Sequence, residues 1–454
     1  MMADIRRAGV CLFLYIAMKT NTNKTNIIAI VTMFFMFAMI SFVTNMAAPF
    51  GNIWQSRYQW AGMLGNLMNF LAYAIMGIPA GRLMQRIGYK RTALIALGVG
   101  FAGMVVQYLS SLVGADVATF SVGGQPVMLN LLIYLLGAFV CGFCVCMLNT
   151  VVNPMLNLLG GGGNRGNQLI QTGGTLNSLT GTLTPLLVGV LIGSVTDRTA
   201  MSDVAPLLFI AMGVFALAFV VLLFVDIPEP QRSRIICGGR DKYSPWSFRH
   251  LVLGVVAIFF YVGVEVGIPA ELNFYLSDPL GPVGSAAVGG AVAAVYWLLM
   301  MVGRAASAAI SGKVSTRIQL SAVALLAIVL IVVAIIVPST SRIAMPGYSV
   351  ADGFQMFQVP LSALFLVLCG LCTSLMWGCI FNLSVEGLGK YTEQASGIFM
   401  MMVVGGGVMP LVQNAIARHI GYMGSYWIVA AMLAYILFYA LVGSKNVNSD
   451  IPVD

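Results

Sequence analysis

Charge is scarce in this sequence. Asp, Glu, Lys and Arg make up 8% of its 454 residues, against roughly 25% in an ordinary soluble domain. A soluble protein of this size covers its surface with charge, so much of this surface has to face lipid instead. Histidine is rarer still: His250 and His419 are the only two, and neither has a metal-ligand spacing around it. There is no Gly-x-Ser-x-Gly, no His-Glu-x-x-His and no Walker-type loop, which removes the usual signatures of hydrolases, zinc proteases and nucleotide-binding enzymes. The run Gly160 to Gly163 is followed by no Lys-Ser/Thr and reads as a flexible loop. The eight cysteines supply no framework. Cys141, Cys144 and Cys146 share one apolar stretch. Cys369 and Cys372 form a Cys-x-x-Cys inside another, and all of these read as small apolar helix residues. Neither an enzyme nor a resident cofactor or metal is expected.

What the chain has is apolar length. Hydrophobic residues make up 59% of it, and glycine, favoured where membrane helices pack closely, occurs 50 times. A span needs about 20 mostly apolar residues. Twelve such stretches lie near 26–48, 60–82, 92–113, 127–150, 168–194, 205–225, 250–276, 284–309, 318–338, 360–384, 392–415 and 424–443. The fifth is the most polar, rich in Gly, Thr and Asn. With an even number of spans both termini share one face, and 18 of the 23 basic residues fall on that face. They include Arg82, Arg86, Lys90, Arg91, Arg165, Lys313, Arg317, Lys390 and Lys445. The opposite face has Arg57, Arg198, Arg342 and Arg418, while Arg304 falls inside a span. Basic loops stay cytoplasmic, so both termini are expected there. The net charge of +8 follows from topology and does not point to nucleic acid.

The expected layout is a cytoplasmic N-terminal segment (1–25), a six-helix half (26–225), a cytoplasmic linker (226–249), a second six-helix half (250–443) and a tail (444–454). Arg6 and Arg7 precede a short apolar stretch, Ala8 to Met18, which is open to reading as a signal peptide; a start at Met18 with a short polar tail is preferred. A repeat supports the split at the linker. Gly81-Arg82-Leu83-Met84-Gln85-Arg86 follows the second span and Gly312-Lys313-Val314-Ser315-Thr316-Arg317 follows the eighth, with Gly, base and Arg at equal spacing in corresponding places.

The loop Gly81 to Arg91, with Gly81, Arg82, Arg86, Gly88, Lys90 and Arg91, resembles the signature loop of the major facilitator superfamily, although Gln85 stands where that loop carries an acid. Further matches are Ile78-Pro79-Ala80-Gly81, Leu148-Asn149-Thr150-Val151-Val152-Asn153-Pro154, Asn177-Ser178-Leu179 with Pro185-Leu186-Leu187, Tyr261-Val262-Gly263-Val264-Glu265-Val266, Gly387 to Thr392, Gly405-Gly406-Gly407 and Pro410-Leu411. Together they resemble the fucose permease and glucose/galactose transporter family, sugar:proton symporters of that superfamily, from about residue 26 to 443. The resemblance implies an all-α fold of twelve helices in two pseudo-symmetric six-helix halves, a sugar substrate, and a place in the bacterial inner membrane as a monomer. Three departures stand out. Asn45 occupies the place of a first-span acid, Asn149 that of a Glu or Gln, and Gly174 that of a Gln. The fucose-type proton carriers of the N-terminal half are therefore missing.

Intramembrane ionisable groups are costly and need a reason. Glu265, in the middle of the seventh span, is a candidate for coupling to a proton or sodium. Arg304 either pairs with it or snorkels to the cytoplasm. Glu271 reads as half-solvated near the outer end of the same span. Neutral amides can donate to and accept from hydroxyls, so Asn45, Asn149, Asn153, Gln171, Asn177, Asn273 and Asn382 are candidate ligand-holding residues, with Asn69, Gln413 and Asn414 also weighed. Trp297 and Trp377 offer ring faces to a sugar. Uptake of a small neutral sugar, efflux of apolar compounds through a cavity lined by some of the 28 Met and 25 Phe, and sensing without transport all remain open on this reading.

Overall fold

The computed structural model describes residues 27–46, 50–51, 53–54, 57–58, 61–62, 64–192, 202–229, 243–278, 280–349, 353–448 and 450–453. The N-terminal segment and most of the linker, with the expectations attached to them, lie outside the described residues. Among the described residues twelve long helices follow one another: α1 (Ile27–Met46), α2 (Leu64–Ile87), α3 (Tyr89–Leu112), α4 (Leu129–Leu159), α5 (Gly163–Ile192), α6 (Ala205–Phe224), α7 (Arg249–Ser277), α8 (Ala286–Ile310), α9 (Thr316–Ile336), α10 (Leu361–Val385), α11 (Gly389–Ile420) and α12 (Tyr422–Gly443). Eleven of them are long and apolar enough to cross a membrane; α5 is not among those eleven. Its polarity is local to the cavity described below.

Two short hairpins join helices on the face opposite the Gly81–Arg91 loop. One pairs β1 (Ala118–Val122) with β2 (Gln125–Met128) between α3 and α4. Its turn residues Gly123 and Gly124 both have positive φ, 59° and 82°, which a two-residue turn between twisted strands requires. The other pairs β3 (Arg342–Ser349) with β4 (Gly353–Pro360) between α9 and α10.

Helix α4 runs nine residues past the end of the stretch read from sequence. The Asn153-Pro154 pair reads as a helix end, yet the helix runs on through Pro154 to Leu159. A proline inside a helix leaves the carbonyl four residues back without its partner. That carbonyl belongs to Thr150, and the Ser396 hydroxyl of α11 donates to it at 3.0 Å. The freed acceptor thus becomes a bond between helices.

Within the N-terminal half α4 packs on α2 and α3, and α3 packs on α6. Within the C-terminal half α7 packs on α8, α11 and α12, and α9 on α10 and α12. The halves meet chiefly through α2 with α11 and α5 with α8. Lipid tails are as apolar as leucine, so helices in a membrane associate through close packing and hydrogen bonds rather than by escaping water. Small residues allow this. A Cβ on Gly77 would lie 2.5 Å from the Met401 nitrogen, and one on Gly397 would lie 2.5 Å from the Gly77 carbonyl oxygen. The repeated glycines play matching parts. Gly81 of α2 faces the backbone of Glu393 and Gly397 on α11, and Gly312, just after α8, faces the Gln168 side chain of α5. Each half lends its glycine to the other half's helix.

The signature loop is structural in this arrangement. Gly88 joins α2 to α3 with φ of 88°. The Glu229 carboxylate accepts from the backbone N–H groups of Tyr89 and Lys90, at 2.9 and 3.0 Å, and so caps the positive end of α3. Lys90 Nζ donates to the Leu223 carbonyl at 2.9 Å. Arg82, Arg86 and Arg91 are exposed.

Candidate functional site

A cavity of about 250 Å³ lies between the halves. From the N-terminal half come two regular helix faces. On α1 these are Phe37, Ile40, Ser41, Thr44 and Asn45; on α2 they are Asn66, Asn69, Phe70 and Tyr73. Both follow the three-and-four spacing that puts residues on one side of a helix. Val145 and Asn149 of α4 and Ile170, Gln171, Gly174 and Asn177 of α5 continue the wall. The C-terminal half contributes Val262, Glu265 and Val266 of α7, Trp297 and Arg304 of α8, Ser374, Trp377 and Gly378 of α10, and Val403 of α11. This placement explains why α5 is polar: part of it faces the cavity rather than lipid.

Glu265 and Arg304 form an ion pair at 3.0 Å, with side chains 12% and 13% exposed. Of the two readings for Arg304, pairing holds and snorkelling does not. The guanidinium does more than neutralise the acid. It donates to Ser178 Oγ at 2.7 Å and to the Gly174 carbonyl at 3.4 Å on α5, and to the Ser374 carbonyl at 3.2 Å on α10. One side chain therefore ties α7, α8 and α10 to the other half. The planar fork of Arg suits this, because its donors point in fixed, separate directions.

Helix α10 is interrupted at Ser374 and Leu375. The break turns two backbone carbonyls toward neighbours. Ser374 O takes the bond from Arg304, and Leu375 O accepts from Gln171 Nε2 at 2.8 Å. Gln171 thus lines the cavity and closes its floor.

The other candidates divide cleanly. Asn45, Asn149 and Asn177 line the cavity with anchored amides. Asn45 Nδ2 donates to its own helix at the Ser41 carbonyl, 2.8 Å away. Asn149 Nδ2 donates to the Tyr73 hydroxyl at 2.6 Å, and Asn177 Nδ2 to the Phe37 carbonyl at 2.9 Å. Each anchor uses an amide nitrogen and leaves the carbonyl oxygen out of that bond. Trp297 is 43% exposed. Trp377 is held by a bond from its Nε1 to Asn153 Oδ1 at 3.2 Å and by edge contacts with Tyr261 and Phe399.

Asn153, Asn273 and Asn382 lie outside the lining, which corrects the expectation that they hold the ligand directly. Asn153 is fully buried, donates to the Asn149 carbonyl at 2.9 Å and supports Trp377. Asn273 accepts from Ser277 on its own helix at 3.1 Å. Asn382 sits at the Gly81–Arg91 side, bonded to Asn157, the Gly163 carbonyl and Thr316 Oγ1. Glu271, expected half-solvated, is 2% exposed, and one of its oxygens accepts from Asn414 at a long 3.4 Å. Tyr73, Asn66, Ser41 and Thr44 line the site without having been singled out. The signal for them was the helical spacing of small polar residues in α1 and α2.

Toward the Gly81–Arg91 side the halves are joined by a series of polar bonds. Gln394 donates to Gln85 at 2.5 Å, Gln168 to the Ala308 carbonyl at 3.1 Å, and Asn167 to Ser311 Oγ at 3.3 Å. On the opposite side the cavity lining reaches Thr44 and Asn66, each two residues from an end of its helix, and Thr44 is exposed. The cavity is sealed toward one face.

Comparison with known proteins places this architecture. The glucose/galactose transporter of Brucella abortus is 31% identical over 420 residues, covering 91% of this chain and 93% of that one. The putative glucose/galactose transporter of Helicobacter pylori is 27% identical over 444 residues, 94% of this chain and 99% of that one. Crystal structures of the Escherichia coli fucose:proton symporter, one of them in the outward conformation, superpose with a TM-score of 0.74 at 19% identity, covering 93% of this chain and 100% of theirs. The Major Facilitator Superfamily sequence model matches residues 26–408, and with the two-half bundle and its central cavity the chain belongs to the major facilitator superfamily.

Proposed function

We propose that this chain is a secondary active transporter that takes up a small neutral sugar by alternating access, coupled to a proton or sodium through Glu265 and Arg304. The observation that carries the reading is the cavity. Its amides, Asn45, Asn69, Asn149, Gln171 and Asn177, suit hydroxyl groups, and Trp297 and Trp377 add ring surfaces beside them. Drug-sized ligand pockets run from about 300 to 1,000 Å³, so a volume near 250 Å³ favours a monosaccharide over an oligosaccharide. The names of the B. abortus and H. pylori relatives agree with that class.

The positive-inside rule puts the sealed face in the cytoplasm, with both termini, and the open end of the cavity outside. The chain then works as a monomer in the bilayer of the inner membrane, and this conformation is the one that loads from outside. Alternating access requires the α2–α11 and α5–α8 contacts to part while contacts on the other face form. Arg304 links that motion to the coupling ion. With Glu265 charged, the guanidinium is held between it and Ser178. A proton or sodium on Glu265 neutralises the acid, frees Arg304 from its partner and weakens the hold on α5. Among the described residues the N-terminal half adds no acid to the cavity lining, where Asn45 and Asn149 stand.

Efflux of apolar compounds is the second reading, and it calls for a flexible wall rich in Met. Among the described residues no Met lines the cavity, which supports the first reading. Counterflow of labelled glucose, galactose and fucose in proteoliposomes tests it. Exchange of a hexose is the expected result. Transport of lipophilic cations alone would favour efflux, and binding of sugar without counterflow would mark a sensor.

A further inference from the structure

Beside the main cavity lies a second, small chamber of about 10 Å³, bounded by Val43, Met46, Asn69, Gln107, Tyr134 and Cys141 among others. The volume is that of about one water molecule. Two polar side chains on its wall have an unpartnered oxygen: Asn69 Oδ1 and Gln107 Oε1. Both residues are more than nine-tenths buried, at 8% and 5% exposed. Tyr134 also lines the chamber, and its hydroxyl sits over Gly65, one turn before Asn69 on α2, too close to leave room for an added Cβ there. Gln107 is held by its own nitrogen, which donates to Cys141 Sγ at 3.5 Å. Asn69 is the one polar residue common to this chamber and the main cavity.

We propose that a single water molecule occupies this chamber, and that through it Gln107 and Tyr134 fix Asn69 as a hydroxyl-recognising amide of the main cavity. The chemistry of the wall selects water over an ion. Two orphan acceptors and one hydroxyl match the two donors and the lone pairs of one water, whereas a cation there would meet only neutral groups and carry an uncompensated charge. The match also survives rotation of either amide, because water can accept as readily as donate. With Asn69 Oδ1 engaged from behind, the Asn69 NH₂ is left for the ligand. An amide free to rotate would present either an oxygen or a nitrogen, and would discriminate poorly between a sugar hydroxyl and its absence. Gln107 and Tyr134 are accordingly positioning residues that never touch the solute.

This inference rests on the sugar-transport reading for its functional half but not for its structural half, and two measurements separate them. The first is a density map of the unaltered protein at a resolution that shows ordered water. A single peak within hydrogen-bond reach of Asn69 and Gln107 is expected, and an empty chamber would overturn the proposal whatever the protein transports. The second compares Gln107→Met, which keeps the bulk and removes the amide, with the unaltered protein across a panel of monodeoxy hexoses. The expected result is a KM raised about tenfold for the parent hexose, an unchanged maximal rate, and loss of preference over one deoxy analogue, the same analogue whose rejection is lost in Asn69→Ala. Unchanged KM and unchanged preference in Gln107→Met would overturn the positioning role. Should that variant fail to fold, Tyr134→Phe, which deletes only the hydroxyl, is read in the same way.

Discussion

Arg304 donates to Ser178 at 2.7 Å, and that bond crosses from one half of the bundle to the other. The same guanidinium holds Glu265 at 3.0 Å. A charge pair inside one half is thereby connected to the interface that has to open. The consequence can be tested from each end of the chain of contacts.

The acid comes first. Glu265→Gln removes the charge that a coupling ion would neutralise. Concentrative uptake is expected to disappear while equilibrium exchange of the same sugar stays within about threefold of the unaltered protein. Both are measured in the same vesicles, with imposed pH and sodium gradients. A variant that still concentrates sugar, or an unaltered protein indifferent to both gradients, would show that Glu265 is structural.

The base is the more damaging loss. Arg304→Met leaves Glu265 partly buried without its partner, and breaking a buried pair from one side costs about 3 kcal/mol. A Tm several degrees lower is expected, with much of the loss recovered in the double variant Glu265→Gln/Arg304→Met. No recovery would mean that the bonds to Ser178 and Ser374, rather than charge compensation, account for the effect.

Ser178→Ala keeps the ion pair and removes the shorter of the two bonds that Arg304 makes to the other half. It is expected to leave Tm within a degree or two and to shift the population toward the conformation open on the Gly81–Arg91 side. Labelling of a Gln394→Cys reporter by a membrane-impermeant thiol reagent reads this, applied to inside-out vesicles, since Gln394 faces Gln85 across that seal. Labelling no faster than in the parent would sink the idea that Arg304 latches the halves.

Gly397→Val acts on the same seal by a different route. A Cβ there would lie 2.5 Å from the Gly77 carbonyl and 2.8 Å from Gly81, so α2 and α11 have to separate. Overpacking of this kind costs about 1–3 kcal/mol. Faster labelling of the Gln394→Cys reporter and slower net uptake are expected. Uptake at the parental rate would show that the crossing tolerates a side chain and is not the closing contact.

Trp297→Ala probes the ring surface. An aromatic contact is worth about 0.5–1.5 kcal/mol beyond its area, so KM should rise up to about tenfold, with Trp297→Phe recovering most of the change. Equal KM in both variants would place the sugar away from α8.

Much of this fold is legible in the residues because apolar length and basic loops have direct physical causes in a bilayer. The charged pair was partly legible too: Glu265 stands in the middle of its span and Arg304 falls inside the next, but whether Arg304 pairs or snorkels depends on how α7 and α8 pack. The amides were harder. An Asn in a span needs a partner, and the sequence cannot tell whether that partner is a solute or a neighbouring helix. Asn149 and Asn153 differ by one turn of α4, yet one lines the cavity and the other braces Trp377. Asn382 looks like Asn149 in sequence and is consumed by Asn157, Gly163 and Thr316. Which face of a helix looks inward is set by how the two halves dock. The faces of α1 and α2 that bear Ser41, Thr44, Asn66 and Tyr73 become visible only then. Pro154 shows the same limit at the level of the backbone. Its freed carbonyl is tolerable inside α4 because Ser396, some 240 residues away in the chain, answers it.

The polarity of α5 bears on how the chain is made. Each of the eleven apolar helices can leave the insertion machinery and be accepted by lipid on its own terms. A helix beginning Gly163-Asn164-Arg165-Gly166-Asn167-Gln168 and carrying Thr, Gly and Asn through its middle has little to gain from lipid contact. Its partners for Gln168, Gln171 and Ser178 lie on α8 and α10, which are synthesised more than a hundred residues later. During synthesis α5 therefore has to shelter against α1 and α4 before its final neighbours exist, with Asn177 on the Phe37 carbonyl as an early anchor. The feature that gives the mature protein a wet interior makes its fifth helix dependent on company at birth.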